Sequence, residues 1–463
     1  MSIILIKINK SIFRSYDIRG LYPTEVNKET AYLIGKAYIY WLNSKFKILN
    51  SKILVSRDMR DSSPELSKEL IRGLIESGAD VIDIGLSTTP MHYFGINFLN
   101  ADGGIMVTAS HNPAEYNGFK VSLAKAVPVG KDSGLEEIKK FALDKKETIA
   151  NRIGIVAQKD ILNDYVEFLT KNRKINKNLK LVVDAGNGMA GYILPKIFEK
   201  LGIKNYEPLY FDLDGNFPNH EANPLKEETL AELKKKVLEN KADLGIAFDG
   251  DGDRVGFLTH KGEFIRGDYI TALIANAYLK QKPKSKIIYD IRCSHSVKES
   301  IEENGGTPIR GRVGHAYMKE CLRKDNILFG GELSMHYYFQ EFFNCDSGAL
   351  AMIKILELLS ESGKNLEELA RPLEKYYQSG ELNFFVQDGS AAGGEVKEQI
   401  IKKIANYFSD GKIDYLDGLT VEYPEWWFNL RASGTEPLLR LNIEANTKEL
   451  LEKKQKLLTE IIK

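Results

Sequence analysis

The chain has 463 residues, with Lys plus Arg and Asp plus Glu balanced at 64 each, so it carries no global field that would gather nucleic acid or an anionic membrane surface. At roughly 100–200 residues per domain the length points to three or four domains rather than one core. Three cysteines, Cys293, Cys321 and Cys345, occur in no CxxC or paired zinc spacing, which argues for a reducing, cytoplasmic setting and against disulfide or zinc frameworks.

The N-terminal Ile3-Ile4-Leu5-Ile6 is interrupted by Lys7 and Lys10, leaving too short an apolar run for a signal peptide. No stretch approaches the ~20 apolar residues of a membrane helix. Next comes Phe13-Arg14-Ser15-Tyr16-Asp17-Ile18-Arg19-Gly20, arginines around a tyrosine before a turn. Residues 52–56 form an apolar run leading to Arg57-Asp58 and a helical pattern over 64–77, with further strands at 80–84 and 104–107. From Gly104 the chain reads GIMVTASHNPAEYNGFK. Its apolar start predicts a buried parallel strand that Asn112-Pro113 must break, because the residue before proline resists the α region. Ser110 then lies at the strand's carboxyl end, where open α/β sheets bind ligands. By local grammar alone a loop or helix-cap serine remains open.

A charged run over 139–148 and a helix over 160–171 suggest a joint near 155. A strand at 179–184 precedes Gly186-Asn187-Gly188-Met189-Ala190-Gly191, and another at 243–248 precedes Asp249-Gly250-Asp251-Gly252-Asp253-Arg254. There three carboxylates alternate with glycines that let a tight loop turn all three onto one ion. An all-oxygen donor set implies Mg²⁺ or Mn²⁺ rather than zinc. An EF-hand is excluded by Arg254 at its sixth position and His260 at its twelfth. Lys261-Gly262 suggests a second joint near 258.

A strand at 286–290 leads to Arg292-Cys293-Ser294. Another at 327–329 leads to Gly330-Gly331-Glu332-Leu333-Ser334-Met335-His336. The carboxylate and hydroxyl two residues apart suit two neighbouring sugar hydroxyls. A helix over 347–361 and a linker over 374–379 open onto a final α+β region, with a helix over 393–408 and a strand over 439–444. Inside it, Arg431-Ala432-Ser433-Gly434-Thr435-Glu436-Pro437 gathers a guanidinium, two hydroxyls and flexible backbone into an anion cradle.

These motifs, in this order and across essentially the whole chain, resemble the α-D-phosphohexomutase superfamily, most closely its phosphomannomutase/phosphoglucomutase branch. The resemblance implies an α/β fold of four domains around a central cleft, three similar mixed α/β domains and a C-terminal α+β lid. The expected divisions are 1–155 with the phosphoserine loop, 156–257 with the metal loop, 258–370 with the sugar-binding loop and 371–463 with the phosphate-binding loop. It implies reversible conversion of hexose 6-phosphate and hexose 1-phosphate through a phosphoserine and a hexose 1,6-bisphosphate, which also serves as activator. Sugar phosphates are the implied partners, with no nucleic acid and no membrane, in a cytoplasmic monomer or dimer.

Carried over position by position, Ser110 is the phosphorylated serine. Ser110, Asp249, Asp251 and Asp253 are the Mg²⁺ ligands. Arg19, His111 and Lys120 assist proton transfer. Glu332, Ser334 and His336 read the sugar, and Arg431, Ser433, Gly434 and Thr435 hold the non-reacting phosphate. Tyr16, Arg254, Arg292 and His315 match cleft positions. Arg292 stands where many mannose-type relatives have lysine, alike in charge but different in geometry. The Ser433-Gly434-Thr435-Glu436-Pro437 loop is also shared with phosphoglucosamine mutases, the nearest alternative. A dinucleotide-binding oxidoreductase is a more distant one, since residues 186–191 fit GxGxxG with Asp212 at a suitable distance. A non-catalytic sugar-phosphate binder is another, and it would need no serine beside three metal carboxylates.

Overall fold

A computed structural model describes residues 8–148, 150–386, 394–433 and 437–463. Two compact units emerge: the described residues through Arg266 together with Ser334–Glu367, and Gly267–Leu333 together with Glu368–Lys463.

The first unit opens with a sheet of β1 (Ile18–Leu21), β2 (Lys52–Arg57), β3 (Asp80–Leu86), β4 (Gly103–Val107), β5 (Tyr116–Leu123), β6 (Val127–Pro128) and β7 (Val156–Gln158). Its order is β1-β5-β4-β2-β3-β7, with β6 on β5. β4, β2, β3 and β7 run parallel, whereas β5 turns back antiparallel on β4 and carries β1. The strand that bears Ser110 is thus parallel on one side only, because the short 108–115 loop returns as a hairpin where a parallel partner would need a crossover.

A second sheet holds β8 (Leu181–Asp184), β9 (Tyr206–Leu209), β10 (Leu244–Phe248), β11 (Val255–Thr259) and β12 (Phe264–Ile265) in the order β12-β11-β10-β8-β9. Both sheets run past the expected joints: β7 pairs with β3, and β11 and β12 pair beyond residue 257. A charged run therefore marks a surface connection and not the end of the sheet.

Helices α1 (Lys28–Phe46) and α2 (Ser63–Glu76) cover one face of the first sheet. Asn27 caps α1 by accepting from Thr30 N at 3.0 Å. The two helices cross at glycines. A Cβ on Gly35 would lie 2.6 Å from Leu70 O, and one on Gly73 only 2.2 Å from Tyr32 O.

In the second unit Lys286–Asp290 runs parallel between Thr307–Gly311 and Phe329–Gly331. Here the last strand takes in both glycines where the apolar run suggested 327–329, because a side chain at 331 would strike Thr271 Oγ1 at 2.1 Å. The expected 374–379 linker is shorter, since Tyr377–Phe385 is already the edge of an antiparallel sheet. That sheet continues through Leu438–Ala445, Trp426–Ala432, Leu419–Glu422 and Lys412–Asp414. Helices Gly394–Tyr407 and Lys448–Ile462 pack on it around a common apolar core. Among the described residues no helix is long and apolar enough to cross a membrane.

The glycine crossing yields a test of packing. Gly73→Ala should lower unfolding free energy by about 1–3 kcal/mol, the usual range for overpacking, because a helix backbone cannot yield as a side chain can. Urea denaturation measures it, and an unchanged midpoint would show that the helices can separate freely.

Candidate active site

Every parallel strand of the first unit that points at the site ends in a polar loop, as expected of the carboxyl edge of an α/β sheet. After β4, Ser110 adopts a left-handed φ of 51°, unusual for a residue with a side chain. Its amide donates to Thr108 Oγ1 at 2.9 Å, and its hydroxyl donates to Asp249 Oδ2 at 3.0 Å. His111 Nδ1 lies 3.2 Å from the same hydroxyl. Desolvation of that ring, reinforced by Arg254 and Arg19, holds the His111 imidazole well below its usual pKa, in the neutral form.

After β10 the chain turns through Asp249–Arg254 and returns as β11, Phe248 pairing with Val255. Asp249, Asp251 and Asp253 are all buried and bring one oxygen each to within 4.8 Å of one another. Lys120, from β5, places its ammonium 2.7 Å from Asp251 Oδ2 and 2.7 Å from Asp253 Oδ2. Burial opposes that charge, but the two aspartates outweigh it and push the Lys120 pKa up, so it stays an ammonium. Burial, then Asp253 and Asp251, push the Asp249 carboxyl well above the usual range. At Asp253 burial acts the same way, yet Lys120, ahead of His336 and Arg254, holds the group well below it.

This donor set fits a small divalent cation. Asp251 Oδ1 is buried without accepting a hydrogen bond, and the three carboxylates converge as an all-oxygen donor set.

The turn is braced from several directions. Thr89, at the start of helix α3 (Thr89–Phe98), donates its hydroxyl to Asp251 Oδ2 at 2.6 Å and its amide to Asp251 O at 2.9 Å. Met189 N donates to Gly250 O at 2.9 Å, and a Cβ on Gly188 would lie 2.8 Å from that oxygen. Within residues 186–191, which match a dinucleotide motif, Gly188 therefore allows close approach to the 249–254 turn, while Gly191 allows it to Phe211 O. Arg254 Nε donates to His336 Nε2 at 3.3 Å, His336 Nε2 faces Asp253 Oδ1 at 3.4 Å, and Ser334 Oγ lies 3.3 Å from His336 Nδ1. Ser334 and His336 are thus joined to the metal loop. Arg19 donates to Asn112 Oδ1 at 2.5 Å and pairs with Asp17. Tyr16 sits in the turn closed by the Phe13–Ile18 bridge.

The second unit gathers the remaining residues at its own strand ends. Arg292, after Lys286–Asp290, donates Nε to Asp290 Oδ1 at 3.0 Å and Nη2 to Asp290 Oδ2 at 2.8 Å. Glu332 Oε1 accepts from Gly314 N at 2.8 Å, beside His315 at the start of the helix His315–Lys324. Arg431 lies directly opposite Arg440 on the neighbouring strand, a like-charge pair that is unfavourable alone. Glu381 relieves it, reaching Arg431 Nη2 at 2.8 Å, Arg440 Nη1 at 3.2 Å and Arg292 Nη1 at 3.6 Å. Ser433 follows Arg431 with its amide on Leu438 O at 2.9 Å. Gly434 and Thr435 lie outside the described residues. Glu381 and Thr89 were not legible as site residues, since each belongs to no local motif and meets its partners far along the chain; Asn112 lies in the serine loop, but its bond to Arg19 is likewise long-range.

The description "Phosphoglucomutase/phosphomannomutase, alpha/beta/alpha domain I" matches residues 10–148, domain II matches 163–262, domain III matches 266–376 and the C-terminal domain matches 381–460. A phosphomannomutase of Escherichia coli is 39% identical over 443 residues, 94% of each chain. A phosphomannomutase/phosphoglucomutase of Pseudomonas aeruginosa is 38% identical over 448 residues, 96% of this chain and 93% of that one. The crystal structure of a phosphoglucomutase/phosphomannomutase family protein from Burkholderia thailandensis matches at a TM-score of 0.89 and 32% identity, covering 98% and 97%.

The cation site can be tested by binding alone. Asp251→Asn should weaken Mn²⁺ affinity by about tenfold or more, at least what is lost when a mere outer-shell partner is removed, with the far-ultraviolet dichroism unchanged. Equal Mn²⁺ titrations of the two proteins would assign the loop a structural role.

Proposed function

The chain belongs to the phosphoglucomutase/phosphomannomutase family, and we propose that it is a cytoplasmic phosphohexomutase that interconverts the 6- and 1-phosphates of mannose and of glucose. The observation that carries this is Ser110, whose hydroxyl stands 3.0 Å from one member of a buried three-carboxylate cluster while a cationic Lys120 bridges the other two.

The physical problem is that O1 and O6 lie at opposite ends of one hexose, out of reach of a single fixed donor. A phosphoryl group carried by Ser110 removes the difficulty. The free hydroxyl oxygen of the bound monophosphate bonds to phosphorus as the Ser110 Oγ–P bond breaks, and the bond's electron pair returns to Oγ. The proton released by the sugar hydroxyl is the one Oγ takes up, and the neutral His111 beside Oγ relays it. The product is a hexose 1,6-bisphosphate. It turns over and offers its other phosphate, whose phosphorus Ser110 Oγ attacks while the sugar oxygen leaves and recovers the proton.

Mg²⁺ held by Asp249, Asp251, Asp253 and the phosphoserine would supply charge neutralisation for the transferring group. Lys120 and Arg19, beside the carboxylates and the serine loop, add positive charge and orientation and assist proton transfer. Arg292, Arg431, Ser433, Gly434 and Thr435 bind the phosphate that is not being transferred. Glu332, Ser334 and His336 grip O3 and O4, which roughly exchange places when the ring is turned over, so C2 is left comparatively unread. Tyr16, Arg254 and His315 complete the substrate contacts.

Intact mass of the purified protein should show a partial addition of one phosphate mapping to Ser110. Ser110→Ala should lose at least about 10³-fold in kcat, and full turnover in that variant would remove Ser110 from the mechanism. With mannose 1-phosphate, glucose 1-phosphate and glucosamine 1-phosphate at equal concentration, the first two should both react and the third more slowly. Arg431→Ala should raise KM for both hexoses alike, by roughly tenfold or more for a lost charged hydrogen bond. A strong preference for glucosamine phosphate, or an effect confined to one hexose, would instead favour a phosphoglucosamine mutase.

A further inference from the structure

Arg60 is among the most deeply buried side chains of the protein, 1% exposed, and a guanidinium is seldom buried unless its donors are matched. Four of its N–H bonds go to main-chain oxygens, three in the loop after β4 and one at the first residue of β5. Nη2 donates to Ser110 O at 3.0 Å and Asn112 O at 2.5 Å, and Nη1 donates to Pro113 O at 2.7 Å and Tyr116 O at 3.0 Å. Nε faces Asp58 Oδ2 at 3.3 Å, and the guanidinium lies 5.0 Å over the Phe217 ring.

The charge balance is local as well. Asp58 Oδ1 in turn accepts from Arg60 N at 3.1 Å and Ser63 Oγ at 2.5 Å, so the residues after β2 form one hydrogen-bonded block. Asn117 Nδ2 ties that block to the start of β5 through Ser62 Oγ at 2.7 Å and Ser63 Oγ at 3.0 Å.

The loop needs such a partner. Residues 108–115 lie outside helix and strand, and buried or half-buried carbonyls without ladder partners must find donors elsewhere. Converging carbonyl dipoles also repel one another, which a planar cation with paired N–H groups relieves and a lysine, with its tetrahedral ammonium, matches less well. Ser110 is held in a left-handed backbone conformation, φ 51°, which persists only where the surroundings enforce it. Its carbonyl is fixed on one side by Arg60. On the other, the metal loop packs so closely that a Cβ on Gly250 would lie 2.5 Å from Ser110 O.

We infer that Arg60 is a positioning residue for phosphoryl transfer, setting the direction of the Ser110 hydroxyl by gathering the carbonyls of its loop onto one buried guanidinium. The inference rests on Ser110 as the phosphoryl carrier. Because the sugar-binding residues do not belong to this block, Arg60 acts on the transfer step and not on sugar affinity.

The test is a steady-state comparison of Arg60→Lys, Asp58→Asn and Ser110→Ala with the parent protein, with the folded fraction taken from thermal melts. Arg60→Lys should lose about 100-fold in kcat, as expected when a reacting group is misplaced by ~1 Å, with KM within about threefold of the parent. Asp58→Asn, which leaves the four carbonyl bonds and removes only the negative charge facing the guanidinium, should lose roughly tenfold in kcat with the same KM; it decides the matter if Arg60→Lys does not fold. Parent-like kcat in the folded variants, or a kcat loss accompanied by an equal rise in KM or an equal fall in folded fraction, would overturn the inference. Ser110→Ala separates the two claims: its full activity would refute Ser110 as carrier, whereas its inactivity alongside a parent-like Arg60→Lys would refute Arg60 alone.

Discussion

Three buried carboxylates whose oxygens converge within 4.8 Å are the constraint on which the first unit is built. Unit charges at that spacing repel by about 3–4 kcal/mol per pair even at an effective dielectric near 20, so the turn after β10 exists only because other elements hold it. Lys120 enters from the antiparallel strand β5, Thr89 from the start of α3, and the glycine loop after β8 presses its backbone against Gly250. The oxygens converge, and Asp251 Oδ1 accepts no hydrogen bond, which gives the cluster the geometry of a candidate cation site. Placed against Ser110, it makes the region suited to a serine that accepts and releases a doubly charged group.

The second unit is organised around a cluster of arginines. Arg292, Arg431 and Arg440 converge on Glu381, with Asp290 fixing Arg292 in a bidentate pair. Burial, with Arg292 and Arg440 nearby, lowers the pKa of Arg431, while those same arginines overcome burial at Glu381 and hold its carboxyl below the usual range. Glu332 also acts on Arg292, and Asp417 on Arg431, so the guanidinium groups are gathered by carboxylates from several strands and loops of this unit.

Much of this was legible from residue order because the chemistry sits where strands end. The strand before Ser110, the alternating aspartates and Arg292 after a buried strand are all local patterns, and the structure places each at a strand's carboxyl edge. What local patterns lacked was pairing over distance. Arg60 reads as an unremarkable arginine after Asp58, and only the hairpin from β4 to β5 brings the four carbonyls to it. Glu381 lies in a stretch with no motif, and its importance arises from strand register, which sets Arg431 opposite Arg440. Residues 186–191 show the converse: a glycine pattern shared with dinucleotide sites is here required by backbone packing, a distinction that spacing alone cannot draw. The charged run before residue 155 suggested a boundary that β7 crosses by hydrogen-bonding to β3.

The account as a whole depends on one phosphoryl group passing from Ser110 to sugar and back. A rapid-quench single turnover tests this most directly: protein carrying ³²P on Ser110 is mixed with excess unlabelled mannose 6-phosphate, and the label is followed in time. It should leave the protein and be recovered first in hexose 1,6-bisphosphate and then in hexose 1-phosphate, at a rate no slower than steady-state turnover. Label that stays on the protein while product accumulates, or that is released only as inorganic phosphate, would contradict it.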